Sequence, residues 1–191
     1  MIKEAVEFAV EAHRGAVRKG TRIPYIVHPL EAAVIVGSMT EDEELIAAAV
    51  LHDVLEDTDA GEAEIRRRFG DRVADLVVDE TDDKRQSWLE RKAEKLRRVE
   101  TGSRDLKIVV LGDKLSNIRA VARDYLIVGE SLWDRFNVKR KDAHAWYYWS
   151  MADRLRELEE YEPYREYVSL CRRVFGEKKK WEEAENGGKR S

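Results

Sequence analysis

The stretch "AAAVLHDVLEDTD", Ala47 to Asp59, sets the strongest constraint on how this chain can fold. It lies at the end of an apolar run, Leu45–Leu51, that favours a helix buried in a core. Titratable side chains then follow on the same predicted helix: His52, Asp53, Glu56 and Asp57. A buried helix is therefore predicted to continue unbroken into one imidazole and three carboxylates.

These four side chains fall on one polar face, because a helix turns by about 100° per residue and together they span an arc of about 140°. Like charges at such spacing repel one another unless a cation lies among them or water surrounds them. From this stretch alone, a cation site and an exposed acidic helix end both remain possible.

The composition limits the class of protein. With 191 residues the chain fits one domain, and its 35 basic and 39 acidic side chains nearly cancel to a net charge of −4. This balance predicts no nucleic-acid partner. The single cysteine, Cys171, cannot form an internal disulfide, and the first residues do not resemble a signal peptide, which predicts a cytoplasmic protein. No apolar run approaches the roughly 20 residues of a membrane-spanning helix.

The pattern is helical almost throughout, so we predict an all-α fold without strands. Thr40 with Glu43 and Ser87 with Glu90 have the spacing of capping boxes at helix starts. We expect one domain over residues 1–176 and a disordered tail over 177–191. Helices are predicted, among others, over 2–18, from Pro29 onward after an extended segment at 25–27, over 104–127, over 137–160 and over 161–175.

Two further polar residues stand in apolar surroundings. His28 precedes Pro29, which favours an extended backbone at a helix entrance, where a histidine either forms a structural hydrogen bond or reaches a neighbouring element. Asp113 interrupts an apolar helix, and a buried carboxylate needs a partner. Lys114 is predicted to point away from it, which leaves a distant salt bridge or a metal ion. Gly112 suggests close approach of another element.

In chain order these groups are His28, His52 with Asp53, and Asp113, and the surrounding segments resemble the HD phosphohydrolase superfamily. Within it, the chain is similar to the single-domain small alarmone hydrolases, which are related to the hydrolase half of RelA/SpoT proteins. The resemblance covers about residues 5–151 and implies a single HD-domain helical fold. The segments that carry it are "AHRGAVRKGTRIPYIVHPLEAA", "AAVLHDVLEDTD", "FGDRVADLV", "TDDK", "LERK" and "LGDKLSNIRAV".

The resemblance implies one divalent metal ion, usually Mn²⁺, and four ligands for it: His28, His52, Asp53 and Asp113. Two imidazoles and two carboxylates suit Mn²⁺ without excluding Fe²⁺, Zn²⁺ or Mg²⁺. It also implies that Glu56 and Asp57 handle the attacking water, with Glu56 as the direct participant. The alternative for this pair is a salt bridge at the helix end.

The family's reaction removes the 3′-pyrophosphate from guanosine tetra- or pentaphosphate, giving GDP or GTP and pyrophosphate. By the same resemblance, Arg18 and Lys19 contact the nucleotide and Asn117 lies near the ribose. Tyr147, in the more loosely matching segment "WYYW", supplies an aromatic contact; the alternatives are a place in the core and a match shifted by one position. Arginine and lysine are natural phosphate partners, although both could simply form a solvated basic helix end.

The match departs from the family at several positions that concern substrate recognition, among them the segment between Lys19 and Tyr25, with Arg22 added, and Glu80 ahead of "TDDK". Relatives commonly have a glutamine in the pattern HxxQxRK, whereas Ala16 and Val17 stand before Arg18 here. Hydrolysis is therefore a firmer prediction than the nucleotide. The alternatives are an HD phosphohydrolase acting on a deoxynucleoside monophosphate or NADPH, and a non-catalytic nucleotide-binding regulator.

Overall fold

The computed structural model describes residues 1–178, and it confirms the predicted all-α fold. Among these residues the only β pairing is an isolated bridge between Val17 and Pro24. Short 3₁₀ segments at 129–135 and 156–158 follow α8 and α9. The α-helices of this part of the chain are α1 (Ile2–Ala12), α2 (Val27–Gly37), α3 (Glu43–Leu51), α4 (Val54–Asp57), α5 (Glu62–Phe69), α6 (Asp71–Glu80), α7 (Trp88–Thr101), α8 (Arg104–Val128), α9 (Lys141–Arg154) and α10 (Glu162–Phe175).

Helix α8 runs through the core, with α2, α3 and α10 packed against it. Its buried residues extend from Leu106 to Ala122. A Cβ at Gly112 would lie 2.7 Å from Val36 Cγ2 and 2.9 Å from the Ala32 carbonyl oxygen. The predicted close approach at Gly112 is therefore confirmed, and the neighbour is the backbone of α2.

The apolar run, Leu45–Leu51, lies in α3, and every residue of the run is buried or half-buried. The prediction that this helix continues unbroken through Asp57 is wrong. α3 ends at Leu51, and α4 begins at Val54 after a turn at His52 and Asp53. The Asp53 backbone, with φ −94° and ψ −5°, departs from the ideal α-helical path and opens that turn.

The structure confirms one predicted capping box and corrects the other. The Ser87 hydroxyl accepts a hydrogen bond from the Glu90 N–H, and the Glu90 carboxylate accepts one from the Ser87 N–H. The box predicted for Thr40 and Glu43 is wrong, because the N-cap of α3 is Asp42. Its carboxylate accepts from an N–H of the first turn at 2.9 Å, while the Thr40 hydroxyl accepts from the Asp42 N–H.

The segment before α2 also differs from the prediction. Tyr25 and Ile26 form a turn rather than an extended segment, and the His28 N–H donates to the Tyr25 carbonyl at 3.0 Å. α2 begins at Val27, so His28 is helical although it precedes Pro29. The first turn accepts this proline because the N–H that it lacks would have no helical acceptor.

Towards the C-terminus, α8 and α10 confirm the helices predicted over 104–127 and 161–175. The single helix predicted over 137–160 is shorter and is divided. α9 ends at Arg154, and the next residues form a 3₁₀ segment in which the Leu158 N–H donates to the Leu155 carbonyl.

The tail predicted over 177–191 lies outside the described residues from 179 onward. Within residues 1–178, no helix combines the length and the apolar content needed to cross a bilayer.

Candidate metal centre and adjoining cavities

Three buried side chains from separate elements meet between α2, α3 and α8. His28 lies in the first turn of α2, His52 directly after α3, and Asp113 in the middle of α8. Each offers one ligand atom, and these atoms all lie within 4.8 Å of one another. The two histidine Nε2 atoms are 3.2 Å apart, and His28 Nε2 is 3.2 Å from Asp113 Oδ1. This group can hold a metal ion.

The Asp53 carboxylate joins the same group. Its Oδ2 lies 3.1 Å from His52 Nε2 and 3.4 Å from His28 Nε2. The Tyr25 hydroxyl lies 2.7 Å from the same Asp53 oxygen and 3.0 Å from Asp57 Oδ2, so it bridges the two carboxylates. The four side chains predicted as ligands therefore converge, and we call His28, His52, Asp53 and Asp113 the metal centre.

The outer nitrogens of both histidines have fixed partners. His52 Nδ1 lies 2.8 Å from the Ala49 carbonyl oxygen, which only accepts, so Nδ1 carries the hydrogen. His28 Nδ1 lies 2.8 Å from the Ser116 hydroxyl, which donates its own hydrogen to Glu31, so this Nδ1 also donates. Both neutral rings then present an Nε2 lone pair to the centre, as metal-binding histidines do.

The charges around the centre favour a cation there. Burial disfavours the charged form of His52, yet the Asp53 and Asp113 carboxylates outweigh burial and raise the pKa of His52 well above its ordinary value. Burial alone would raise the pKa of both aspartates, but the histidines, together with Lys114 beside Asp113, hold each well below its usual range. A divalent cation would displace the Nε2 proton of His52, because Nδ1 keeps its hydrogen for Ala49.

Asp113 is also the end of a polar chain along α8. The Asn117 amide donates to its Oδ1, and the Lys114 ammonium donates to its Oδ2. The prediction that Lys114 points away is wrong, because the flexible lysine side chain folds back onto the neighbouring carboxylate. Arg18 donates to Asn117 Oδ1 at 2.7 Å. Two residues predicted to bind the nucleotide are thus linked to the metal centre.

Glu56 and Asp57 have different surroundings. Asp57 accepts from Lys84 at 2.8 Å as well as from Tyr25, so the predicted alternative of a salt bridge applies to it. Glu56 accepts from the Asp82 N–H at 3.1 Å, and its nearest cationic contact is Arg91 at 3.9 Å. Burial, followed by the Asp82 charge, raises the pKa of Glu56. Glu56 is therefore the better placed of the two to accept a proton.

Two cavities adjoin the metal centre. The inner cavity, of about 140 Å³, is lined in part by metal-centre residues, by lysines of α7 and α8, and by four further carboxylates: Glu56, Asp57, Glu80 and Asp82. The outer cavity, of about 260 Å³, is lined in part by Lys19, Arg135, Phe136 and Tyr148. Three residues line both cavities and so mark where they meet: Arg18, Tyr25 and Asn117.

Tyr147, predicted to contact the nucleotide, lines neither cavity. Its ring lies 5.1 Å from the Lys92 ammonium and 5.9 Å from that of Lys114. The side chain that reaches the outer cavity is that of its neighbour, Tyr148. On a helix the two rings point about 100° apart, so a shift of one position along the chain decides whether a ring reaches the outer cavity.

Sequence reasoning missed the residues that support the predicted ligands. Ser116 and Glu31 lie one helical turn from Asp113 and His28, and helical spacing could have singled them out. Tyr25 and Arg135 offered no such signal, because the loop at 18–26 and the 3₁₀ segment at 129–135 bring them to the site.

A family model described as "HD domain" matches residues 5–127 of this sequence. The chain belongs to the HD domain family. The adjacent histidine and aspartate that follow α3, His52 and Asp53, lie within the matched residues.

Relatives with curated names share this region. A protein of Aquifex aeolicus named guanosine-3′,5′-bis(diphosphate) 3′-pyrophosphohydrolase is 34% identical over 92% of this chain. A protein of Xenopus tropicalis with the same name and the suffix MESH1 is 40% identical over 64% of this chain. The match spans only 27% of the Aquifex protein but 70% of the Xenopus one.

Two solved structures have the same fold as this HD domain. One, titled "A metazoan ortholog of SpoT hydrolyzes ppGpp and plays a role in starvation responses", has a TM-score of 0.77 and 28% identity, and the match covers 92% of this chain and 96% of that one. The other, lmo0812 from Listeria monocytogenes EGD-e, has a TM-score of 0.72 and 35% identity, with 78% and 99% covered.

Proposed function

We propose that this chain is a metal-dependent hydrolase that removes the 3′-pyrophosphate from guanosine tetra- or pentaphosphate. The observation that carries the proposal is the Arg18–Asn117–Asp113 chain, which joins the basic outer cavity to the metal centre. Two relatives are named for this reaction, and one structural neighbour is titled for it. We assign the activity to a single unit over residues 1–176, acting in the cytoplasm.

The metal is proposed to be Mn²⁺, held by His28, His52, Asp53 and Asp113. Support comes from the two Nε2 lone pairs and two carboxylates, a mixed N/O set that Mn²⁺ accepts readily. When bound, the ion supplies a Lewis acid that makes water a better nucleophile and neutralises phosphate charge.

The residues around it would carry the proton chemistry. The water oxygen forms a bond to the phosphorus attached to O3′, the P–O3′ bond breaks, and O3′ takes up a proton. Glu56, whose pKa is raised by burial and by Asp82, would accept the proton that water loses. Asp57, held by Tyr25 and Lys84, would orient the water.

The outer cavity would hold the nucleoside and its 5′-phosphates. Arg18 and Lys19 offer charge to the phosphates, and Lys19 is steadied by Asn137 at 2.9 Å. Asn117 lies where the two cavities meet, which suits a ribose. Tyr148 rather than Tyr147 offers a ring to the base.

Incubating the purified protein with Mn²⁺ and a nucleotide panel tests the proposal. We expect pyrophosphate and GDP from guanosine tetraphosphate, with little product from deoxynucleoside monophosphates or NADPH. Equal or faster turnover of a monophosphate would show that the monophosphate, and not guanosine tetraphosphate, is the substrate. Ligand binding without any metal-dependent product would make the chain a regulator rather than an enzyme. Repeating the assay with Fe²⁺, Zn²⁺ and Mg²⁺ identifies the preferred metal.

A further inference from the structure

Part of the inner cavity carries lysines instead of metal ligands. Lys92 and Lys95 come from α7 and Lys114 from α8, and we call these three the lysine cluster. Their side chains are only 20%, 2% and 10% exposed. Lysine is almost never buried to this degree unless its charge is paired, so the partners of these ammonium groups decide what the cluster can do.

Each lysine lies beside a carboxylate, and one of these carboxylates is shared among several cations. Lys95 pairs with Glu80 at 2.8 Å and Lys92 with Asp82 at 2.9 Å. The same Asp82 carboxylate also lies within 4.0 Å of Lys95, Arg91 and Arg98. The single Asp82 carboxylate therefore lies within 4.0 Å of four cations, two lysines and two arginines.

The third lysine depends on the metal centre. Lys114 is paired with Asp113, whose other oxygen faces the two histidines. When a cation occupies the centre, the Asp113 charge is shared with it, which leaves the Lys114 ammonium less fully paired. Burial lowers the pKa of Lys92, and the nearby Lys114 charge lowers it further, while the Asp82 carboxylate opposes both.

We propose that the lysine cluster is the site for the outer phosphate of the substrate's 3′-diphosphate. The inference rests on the proposed function and names the feature that selects this substrate. One cavity of about 140 Å³ is lined by both the metal centre and the cluster, so a single diphosphate can touch both. Its inner phosphate lies at the metal centre, where the bond breaks, and its outer phosphate meets ammonium groups, which bind phosphate as point charges.

This placement explains preference for a diphosphate over a monophosphate. A deoxynucleoside monophosphate or the 2′-phosphate of NADPH would occupy the metal centre and leave the lysine cluster without its anion. Selection by a group that the wrong substrate lacks is stronger than selection by shape alone. The cluster would also hold the product pyrophosphate more tightly than orthophosphate.

Isothermal titration of inorganic pyrophosphate and of orthophosphate into metal-loaded protein tests the site. For Lys92→Gln we expect pyrophosphate affinity to fall about tenfold while orthophosphate affinity changes little. Lys92→Arg should restore most of the loss because it keeps the charge. Arg97→Gln is the matched control, since Arg97 lies on the same helix and is 70% exposed. Equal losses for both anions, or no loss for pyrophosphate, would refute the site.

Lys92→Gln also breaks a pair with Asp82, so a second measurement avoids the variant. Amine modification of the wild-type protein, followed by mass spectrometry, should slow at Lys92 when pyrophosphate is added and not when orthophosphate is added. Identical rates with both anions would count against the proposal. Neither measurement needs turnover, so pyrophosphate selectivity without alarmone hydrolysis would reject the proposed function and keep the site.

Discussion

The metal centre and the lysine cluster line one cavity, yet they manage buried charge in opposite ways. The carboxylates of the metal centre face imidazole nitrogens, so positive charge must be added from outside to complete the group. In the lysine cluster the Asp82 carboxylate is shared among Lys92, Lys95 and two arginines of α7, so an added anion would share their positive charge. A site that binds a phosphate ester beside a divalent metal ion needs both features next to each other: carboxylates that attract the cation and ammonium groups that attract the phosphate.

The metal centre and the lysine cluster should therefore lose different properties when a charge is removed. Changes at the metal centre should appear as lost metal and lost activity. Changes in the internal pairs of the lysine cluster should appear mainly as lost stability, because those charges support one another within the fold.

The largest effect is expected for Asp113→Asn. The amide keeps the size of the side chain but removes the charge that faces both histidines, so hydrolysis should fall by on the order of 10³-fold. Metal content measured by plasma mass spectrometry should fall with it. Asp105→Asn is the control on the same helix, because Asp105 is 42% exposed and pairs with Arg72. Full metal content in an inactive Asp113→Asn protein would show that metal binding does not need the Asp113 charge.

Glu80→Gln tests the other region. It removes the nearer of the two carboxylates beside the Lys95 ammonium, which is only 2% exposed, and leaves Asp82 at 3.8 Å. Breaking a buried pair typically costs about 3–5 kcal/mol of unfolding free energy. Urea unfolding followed by circular dichroism measures the loss. Glu62→Gln, in an exposed pair with Arg66, should cost far less, because water screens that pair. If both variants lose equally little, the cluster is not held together by its internal pairs.

Glu56→Gln concerns proton transfer alone. Hydrolysis should fall by about a hundredfold while metal content stays unchanged. The base works only when ionised, and burial with the Asp82 charge raises its pKa, so wild-type kcat/KM should fall with decreasing pH at a higher pH than for an ordinary glutamate. The variant should lack this acid limb. Asp57→Asn should lose less, since Tyr25 and Lys84 hold Asp57 as a supporting group; the reverse ranking would exchange the two roles.

The same contrast governs what the sequence could predict. Histidine is rare in this chain, with four in 191 residues. The residue type of His28 and His52, within an ordered set of motifs, was therefore enough to indicate a metal site. Lysine and arginine number 35, and most lie on the surface of any soluble protein. The lysine cluster could therefore be found only once α7 and α8 were placed against the end of α6.

Local geometry set a second limit. Helical periodicity gave most helices, but it could not show that the backbone opens at Asp53, because that turn is stabilised by contacts with Tyr25 and the histidines rather than by a breaking residue. Tyr147 illustrates the same limit. One helical position decides between the outer cavity and the lysine cluster, and composition does not resolve a shift of one residue.

Ser116→Ala should have the smallest effect of these changes. The Ser116 hydroxyl accepts from His28 Nδ1 and donates to Glu31. Its loss removes the hydrogen-bond partner of the His28 ring but leaves all four proposed ligand side chains unchanged. Metal affinity should weaken about tenfold to a hundredfold, measured by competition with a fluorescent chelator. Ser38→Ala is the control at the end of the same helix as His28, where the hydroxyl only donates to the Ile35 carbonyl. Equal affinities for the two variants would mean that packing, not this hydrogen bond, orients His28.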